Sequence, residues 1–318
     1  MQRGVLVAAG AGLAYAVLSQ PFAGGLVQFL SILPLFAVGL ALGPASAGLA
    51  AAIGAVGMLL AGQLHGPLAV GIDPGALVWN GLAAVIISRQ ALLSRPLPEA
   101  GRTGVEWYPA SHLLVWLTGL GLFGLVLFVG APGGLAGGGV EREFVESAAL
   151  LAGPDADPDI RDGLRQAAQM VVPAVWAMRL MVAALVNAAL AQALLTRSGL
   201  ALRPSPAYAE TELPAKAGNV FAVGLGVALV AALTLEGAAG EFGLCALIVL
   251  TIPFLLVGLA VVHMVVRRWP ARWLLLTVFY VVAAMSGWFW PLVVVLGLVE
   301  HWVGVRRRIA SRPSRGEE

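Results

Sequence analysis

The stretch Leu244-Cys-Ala-Leu-Ile-Val-Leu-Thr-Ile-Pro253-Phe-Leu-Leu-Val-Gly258-Leu-Ala-Val-Val-His263-Met-Val-Val266 contains no Asp, Glu, Lys or Arg, and Arg267 and Arg268 follow it at once. As a helix it would be roughly 34 Å long, enough to cross the ~30 Å hydrocarbon layer of a bilayer. Similar runs, bounded by Gly, Pro or charge, lie near Val5–Leu18, Gly25–Leu42, Ala45–Ala61, Pro67–Ile87, Leu113–Val129, Gln169–Leu195, Val220–Leu235, Trp273–Ala284 and Phe289–Val305. The last two together would be roughly 48 Å as one helix, too long for the layer, and Ser286-Gly287 offers a hairpin turn between them. Of 318 residues, 59% are hydrophobic and 11% charged, which excludes a soluble globular fold. The expected class is all-α, a polytopic transmembrane helical bundle of about ten spans.

The charges orient it. With ten spans and both termini cytoplasmic, the inner segments hold Arg3; Arg89, Arg95 and Arg102; Arg197, Arg203 and Lys216; Arg267, Arg268 and Arg272; and the tail from Arg306 to Arg315. The outer segments hold Arg142, Arg161 and Arg165 beside nine acids, Glu141, Glu143, Glu146, Asp155, Asp157, Asp159, Asp162, Glu236 and Glu241. Every long loop then agrees with the positive-inside rule. Arg3, a short apolar run and Ala14-Tyr15-Ala16 resemble a secretory signal, but a single basic residue and the spans that follow at once favour a retained first helix.

The expected organisation is a six-span bundle over residues 1–195 with an outer loop at 130–168, a cytoplasmic linker at 196–219, a four-span bundle at 220–305 and a basic tail at 306–318. In that loop, acids alternate through Asp155, Asp157 and Asp159, but Ile160 and Gln166 stand where a calcium loop needs Gly and Glu. Asp157 as N-cap, Pro158 at the first helical position and Asp159 in the first turn instead predict a helix start. Glu141–Leu151 reads as an amphipathic helix.

Lipid gives helices no hydrophobic drive to associate, so packing is expected through small residues. Ala8, Gly12 and Ala16 form one such face and Gly39 with Gly43 another, serving either packing within the chain or docking of a separate membrane subunit. Three Asp, Glu, Lys or Arg residues fall inside the spans: Asp73, Arg179 and Glu300. Intramembrane charges are costly and are functional candidates by default. Arg179 shares a helix face with Trp176 and Asn187, and Asp73 shares one with Asn80. Arg179 and Glu300 come out at similar depth, so either acid could pair with the arginine. These six residues are the candidate cavity lining or charge network; the other reading of Arg179 is a bridge between helices. Trp107, Trp269, Trp273, Trp288, Trp290 and Trp302 fall near span ends and read as interfacial anchors. One cysteine, Cys245, and four histidines without metal-ligand spacing give no cofactor or metal signature.

The stretch Ser31-Ile-Leu-Pro34-Leu-Phe-Ala-Val-Gly39-Leu-Ala-Leu-Gly43-Pro44-Ala-Ser-Ala-Gly48 resembles the start of the substrate-binding membrane subunits of energy-coupling-factor vitamin transporters. Over nearly the full chain, the pattern is similar to the YybS-like family of bacterial multi-pass proteins. The carrying feature is a last helix running from Trp290-Pro through Leu-Gly to Glu300 and then Arg306-Arg-Arg. The first resemblance implies solute capture, with the Ala8, Gly12 and Ala16 face contacting a coupling subunit. The expectation is therefore a non-enzymatic protein of the bacterial inner membrane, embedded in lipid, without nucleic acid or cofactor, that binds or transports a small solute. The alternative is a scaffold for envelope or division proteins.

Overall fold

The computed structural model describes residues 2–20, 25–65, 74–96, 104–130, 139–150, 153, 157–206, 212–267, 269–304 and 306. Its helices are α1 (Gln2–Leu18), α2 (Gly25–Phe29), α3 (Leu33–Leu42), α4 (Pro44–His65), α5 (Pro74–Ala91), α6 (Ala110–Gly130), α7 (Gly139–Leu150), α8 (Pro158–Arg197), α9 (Ala215–Thr234), α10 (Gly237–Val266), α11 (Arg272–Met285) and α12 (Phe289–Val303). A short antiparallel pair, β1 (Ser94–Pro96) and β2 (Val105–Trp107), joins α5 to α6 with Arg95 opposite Glu106. The fold is a helical, predominantly apolar bundle.

Among the described residues five helical stretches are long and apolar enough to cross a membrane, counting Gly25–Leu42 as one, or six if α11 and α12 count together. That leaves five of the ten apolar runs: α1 and the stretch Ala110–Val126 of α6 are shorter apolar helices, α5 carries Asn80, Arg89 and Gln90 and is not among the long apolar stretches, and α11 and α12 are each cut short by the bend between them.

The expected helix over Gly25–Leu42 is interrupted at Leu30–Ile32. Pro34 has no N–H to donate one turn back, and the Leu33 amide turns to Leu30 O at 3.1 Å. The Phe29 carbonyl at the break accepts from Asn187 Nδ2 at 2.8 Å. In a bilayer such backbone groups need a partner from the protein, so the α8 side chain supports the break.

The small-residue faces are used within the chain. Ala8, Gly12 and Ala16 are buried, and a Cβ on Gly12 would strike the Ala50 carbonyl of α4. Gly54 approaches α1 in return, against the Tyr15 ring. This face is covered by α4. Gly39 packs on Ser88 of α5, whereas Gly43 does no packing: its φ of 102° closes α3, and nothing lies within 4 Å of its Cβ position.

The acidic-loop reading holds at the start of α8. Asp157 Oδ1 accepts from the Asp159 amide at 3.0 Å and Pro158 stands in the first turn. The predicted amphipathic helix is α7, and it packs on α8.

α10 joins the two expected bundles, packing against α6 and α8 on one side and α9 and α12 on the other. Against α12 the approach is backbone to backbone: a Cβ on Gly258 would overlap the Val293 carbonyl, and one on Gly297 the Phe254 carbonyl. These pairs also fix direction. Residues 293 and 297 lie beside 258 and 254, so α12 runs antiparallel to α10 and its first turn sits by the last turns of α10.

Between them α11 does not descend along α10. The Tyr280 ring lies 6.0 Å from His263 and the Phe279 ring 5.3 Å from Phe289. The middle of α11 thus lies near the C-terminal end of α10, and α11 and α12 are bent 119° to each other. The expected pair of full crossings is replaced by a helix across the end of α10 followed by one turning back along it.

Candidate functional site

The six polar and aromatic candidates are distributed over three places. Asp73 lies outside the described residues. Asn80, on α5, donates from Nδ2 to the Tyr15 hydroxyl at 3.2 Å, and its buried Oδ1 has no partner among the described residues. Its neighbour Trp79 donates to Leu120 O at 3.1 Å and meets Trp176 over Gly124, where a Cβ would touch both indoles. Trp176 also stacks obliquely on Phe128, with centroids 5.5 Å apart.

Further along the same face of α8, Asn187 is fully buried, with Nδ2 donating to Phe29 O at 2.8 Å and to Ala183 O at 2.7 Å. Its Oδ1 has no partner among the described residues. Arg179 is half-buried at the edge of this face, and its buried Nε makes no hydrogen bond among the described residues. Trp176 and Asn187 therefore turn inward as the helical spacing predicts, and Arg179 borders them.

Glu300 is elsewhere. Its carboxylate accepts from Arg306 Nε at 2.9 Å and from the Arg306 amide at 3.1 Å, with the two side chains 2% and 7% exposed. Gly304, at φ 63°, ends α12 in the left-handed conformation and folds Arg306 back onto the acid. α12 packs on α10, with Gly258 and Phe254 against Val293 and Gly297, and on α9 and α11. Of the two acids left open as partners of Arg179, Glu300 takes its basic partner from its own helix end.

A cavity of about 330 Å³ opens among α3, α5, α6, α8 and α10. None of the six candidates lines it. Its wall is Leu40, Ile87, Leu114, Leu117, Ala188 and Val257, with similar neighbours, and its polar groups are Gln192 and Arg203. The residues contributed by α5, α8 and α10 come from their C-terminal halves, so these helices end together, bringing Arg89, Arg95, Arg197, Arg203 and Arg267 to one pole.

The segment after α8 closes that pole. Arg203 is 7% exposed and donates from Nη1 to Ala91 O at 2.8 Å, at the negative end of the α5 dipole. Gln192 Nε2 holds the Arg203 carbonyl at 2.9 Å, and the Thr196 and Ser205 hydroxyls are 2.9 Å apart. Sequence reasoning placed Arg203 in a solvated linker and passed over Gln192. The available signal was an amide near the end of an apolar run, which needs a partner when buried. Among the described residues no three His, Cys, Asp or Glu side chains gather to hold a metal.

Residues 151–300 match the model of a family described as "Predicted membrane protein (DUF2232)". Over that stretch, which runs from just before α8 to Glu300 near the end of α12, the chain is similar to that family. The segment resembling vitamin-transporter subunits lies outside it. No curated protein and no solved structure matches the chain.

Proposed function

We propose that this integral membrane protein binds a small amphiphilic solute in the cavity between α5, α6, α8 and α10. The observation that carries the reading is the cavity itself: an apolar chamber whose polar groups, Gln192 and Arg203, sit at the basic pole. Ligand pockets typically pair such walls with a few placed polar groups. An apolar body would fill the chamber, and an acceptor group, carboxylate or phosphate, would face the Arg203 end.

The basic pole is cytoplasmic in this reading, by the positive-inside rule, and the membrane is the inner membrane of a bacterium. The protein works without a cofactor and without covalent chemistry. Transport, as implied by the resemblance to vitamin-transporter subunits, would follow if the Arg203 segment releases its hold on Ala91. Asn80, Trp176, Arg179 and Asn187 then support the helices around the chamber instead of touching the solute.

The test is native mass spectrometry of the full chain released from nanodiscs, comparing wild type with Ala188→Trp, which fills the chamber. A bound small mass present in wild type and absent from the folded variant supports the reading. Equal occupancy in both overturns it.

A further inference from the structure

We propose that α11 lies in the plane of the leaflet at the basic pole, with its outer face in the acyl chains and Arg267 and Arg272 on anionic lipid headgroups.

Four observations converge on this. α11 has 14 residues, roughly 21 Å of helix, well short of the ~30 Å hydrocarbon layer. Its middle stays beside the last turn of α10, through Tyr280 on His263, and the first residue of α12, through Phe279 on Phe289, so it does not lead across the bundle. Only Ala283 is buried, and the side away from the protein is continuous Leu274, Val278, Val281 and Met285, the last 85% exposed. Exposed tryptophans stand at either end, Trp269 before it, Trp273 in its first turn and Trp288 after it, as amphipathic rings do at the headgroup level.

The charges choose the occupant. Arg267 and Arg272 are exposed, and the Arg272 guanidinium is 5.5 Å from the Trp273 ring centre. From Arg267 to Trp288 the sequence contains no Asp or Glu. A second copy docking on this face would meet like charge without a partner, whereas an anionic leaflet supplies the complement.

The experiment uses the full chain with Cys245→Ser, which keeps a donor for the Met170 carbonyl that Cys245 Sγ contacts at 3.3 Å. Single cysteines at Leu274→Cys, Val278→Cys, Val281→Cys and Met285→Cys are spin-labelled in phosphatidylcholine vesicles with and without phosphatidylglycerol. All four side chains are exposed, so the labels leave packing intact. One shared shallow depth is expected, with label mobility falling when phosphatidylglycerol is present and that fall lost in Arg267→Gln/Arg272→Gln. Depth increasing steadily from 274 to 285 would mean a crossing helix, and dipolar broadening between labels would mean a second copy. Either result overturns the proposal, as does indifference to phosphatidylglycerol.

Discussion

Gly297 faces Gly258 across the crossing of α10 and α12, so near that a methyl group on Gly297 would come within 3.0 Å of the Gly258 amide nitrogen and overlap the Phe254 carbonyl. Backbone, not a flexible side chain, is what such a group meets. Without a hydrophobic drive in lipid, this contact carries much of the attachment of α12.

Gly297→Ala is therefore expected to lower stability by about 1–3 kcal/mol, and Gly297→Val by more, in reversible unfolding of the purified protein in mixed micelles. Gly226, on an open face of α9 with nothing within 4 Å of its Cβ position, is the control. Gly226→Ala should be neutral or stabilising, since alanine is the better helix former.

The Glu300–Arg306 pair is nearly fully buried, at 2% and 7% side-chain exposure. Removing one member strands the other charge, so Glu300→Gln or Arg306→Gln should each cost about 3–5 kcal/mol. The double replacement Glu300→Leu/Arg306→Leu should cost less than either single change. A double variant that merely adds the two losses would show the residues are not coupled.

At the α2–α3 break, Asn187→Leu keeps the volume but withdraws the donor from Phe29 O. A buried carbonyl left alone costs about 1–3 kcal/mol. Hydrogen exchange should quicken at Leu30–Leu33 while the α9 and α10 amides stay unchanged; uniform protection would mean the break does not depend on Asn187.

Arg95 and Glu106 are 2.7 Å apart, but at an exposed hairpin, and the pairing raises the already high Arg95 pKa further. Exposed pairs contribute little. Glu106→Gln should leave the unfolding midpoint unmoved, in contrast to the buried pair above.

Much of this architecture is legible in the chain. Apolar runs locate the helices, and Asp157-Pro-Asp159 announces the start of α8, because capping is a local chemistry. Long-range relationships are less visible. Hydropathy shows that Trp273–Ala284 is apolar but not whether it crosses or lies flat, since that depends on where Tyr280 and Phe279 find partners. Depth alone left either Asp73 or Glu300 able to pair with Arg179; for Glu300 the partner is Arg306, brought back just past its own helix. Gly304, just past the helix, was the local sign that the chain turns back there. The cavity left no motif, because a wall of Leu, Ile, Val and Ala is composed of the same residues as the lipid-facing surface.

α8 has 40 residues, roughly 60 Å of helix and about twice the hydrocarbon thickness. It is longer than a crossing needs: its charged first turns, with Asp159, Arg161, Asp162 and Arg165, carry α7 packed alongside, while its other end forms the wall at Ala188 and Gln192. A single continuous helix joins the end that carries α7 to the cavity wall. Pro173, where one backbone hydrogen bond is missing, is where such a shaft bends most cheaply.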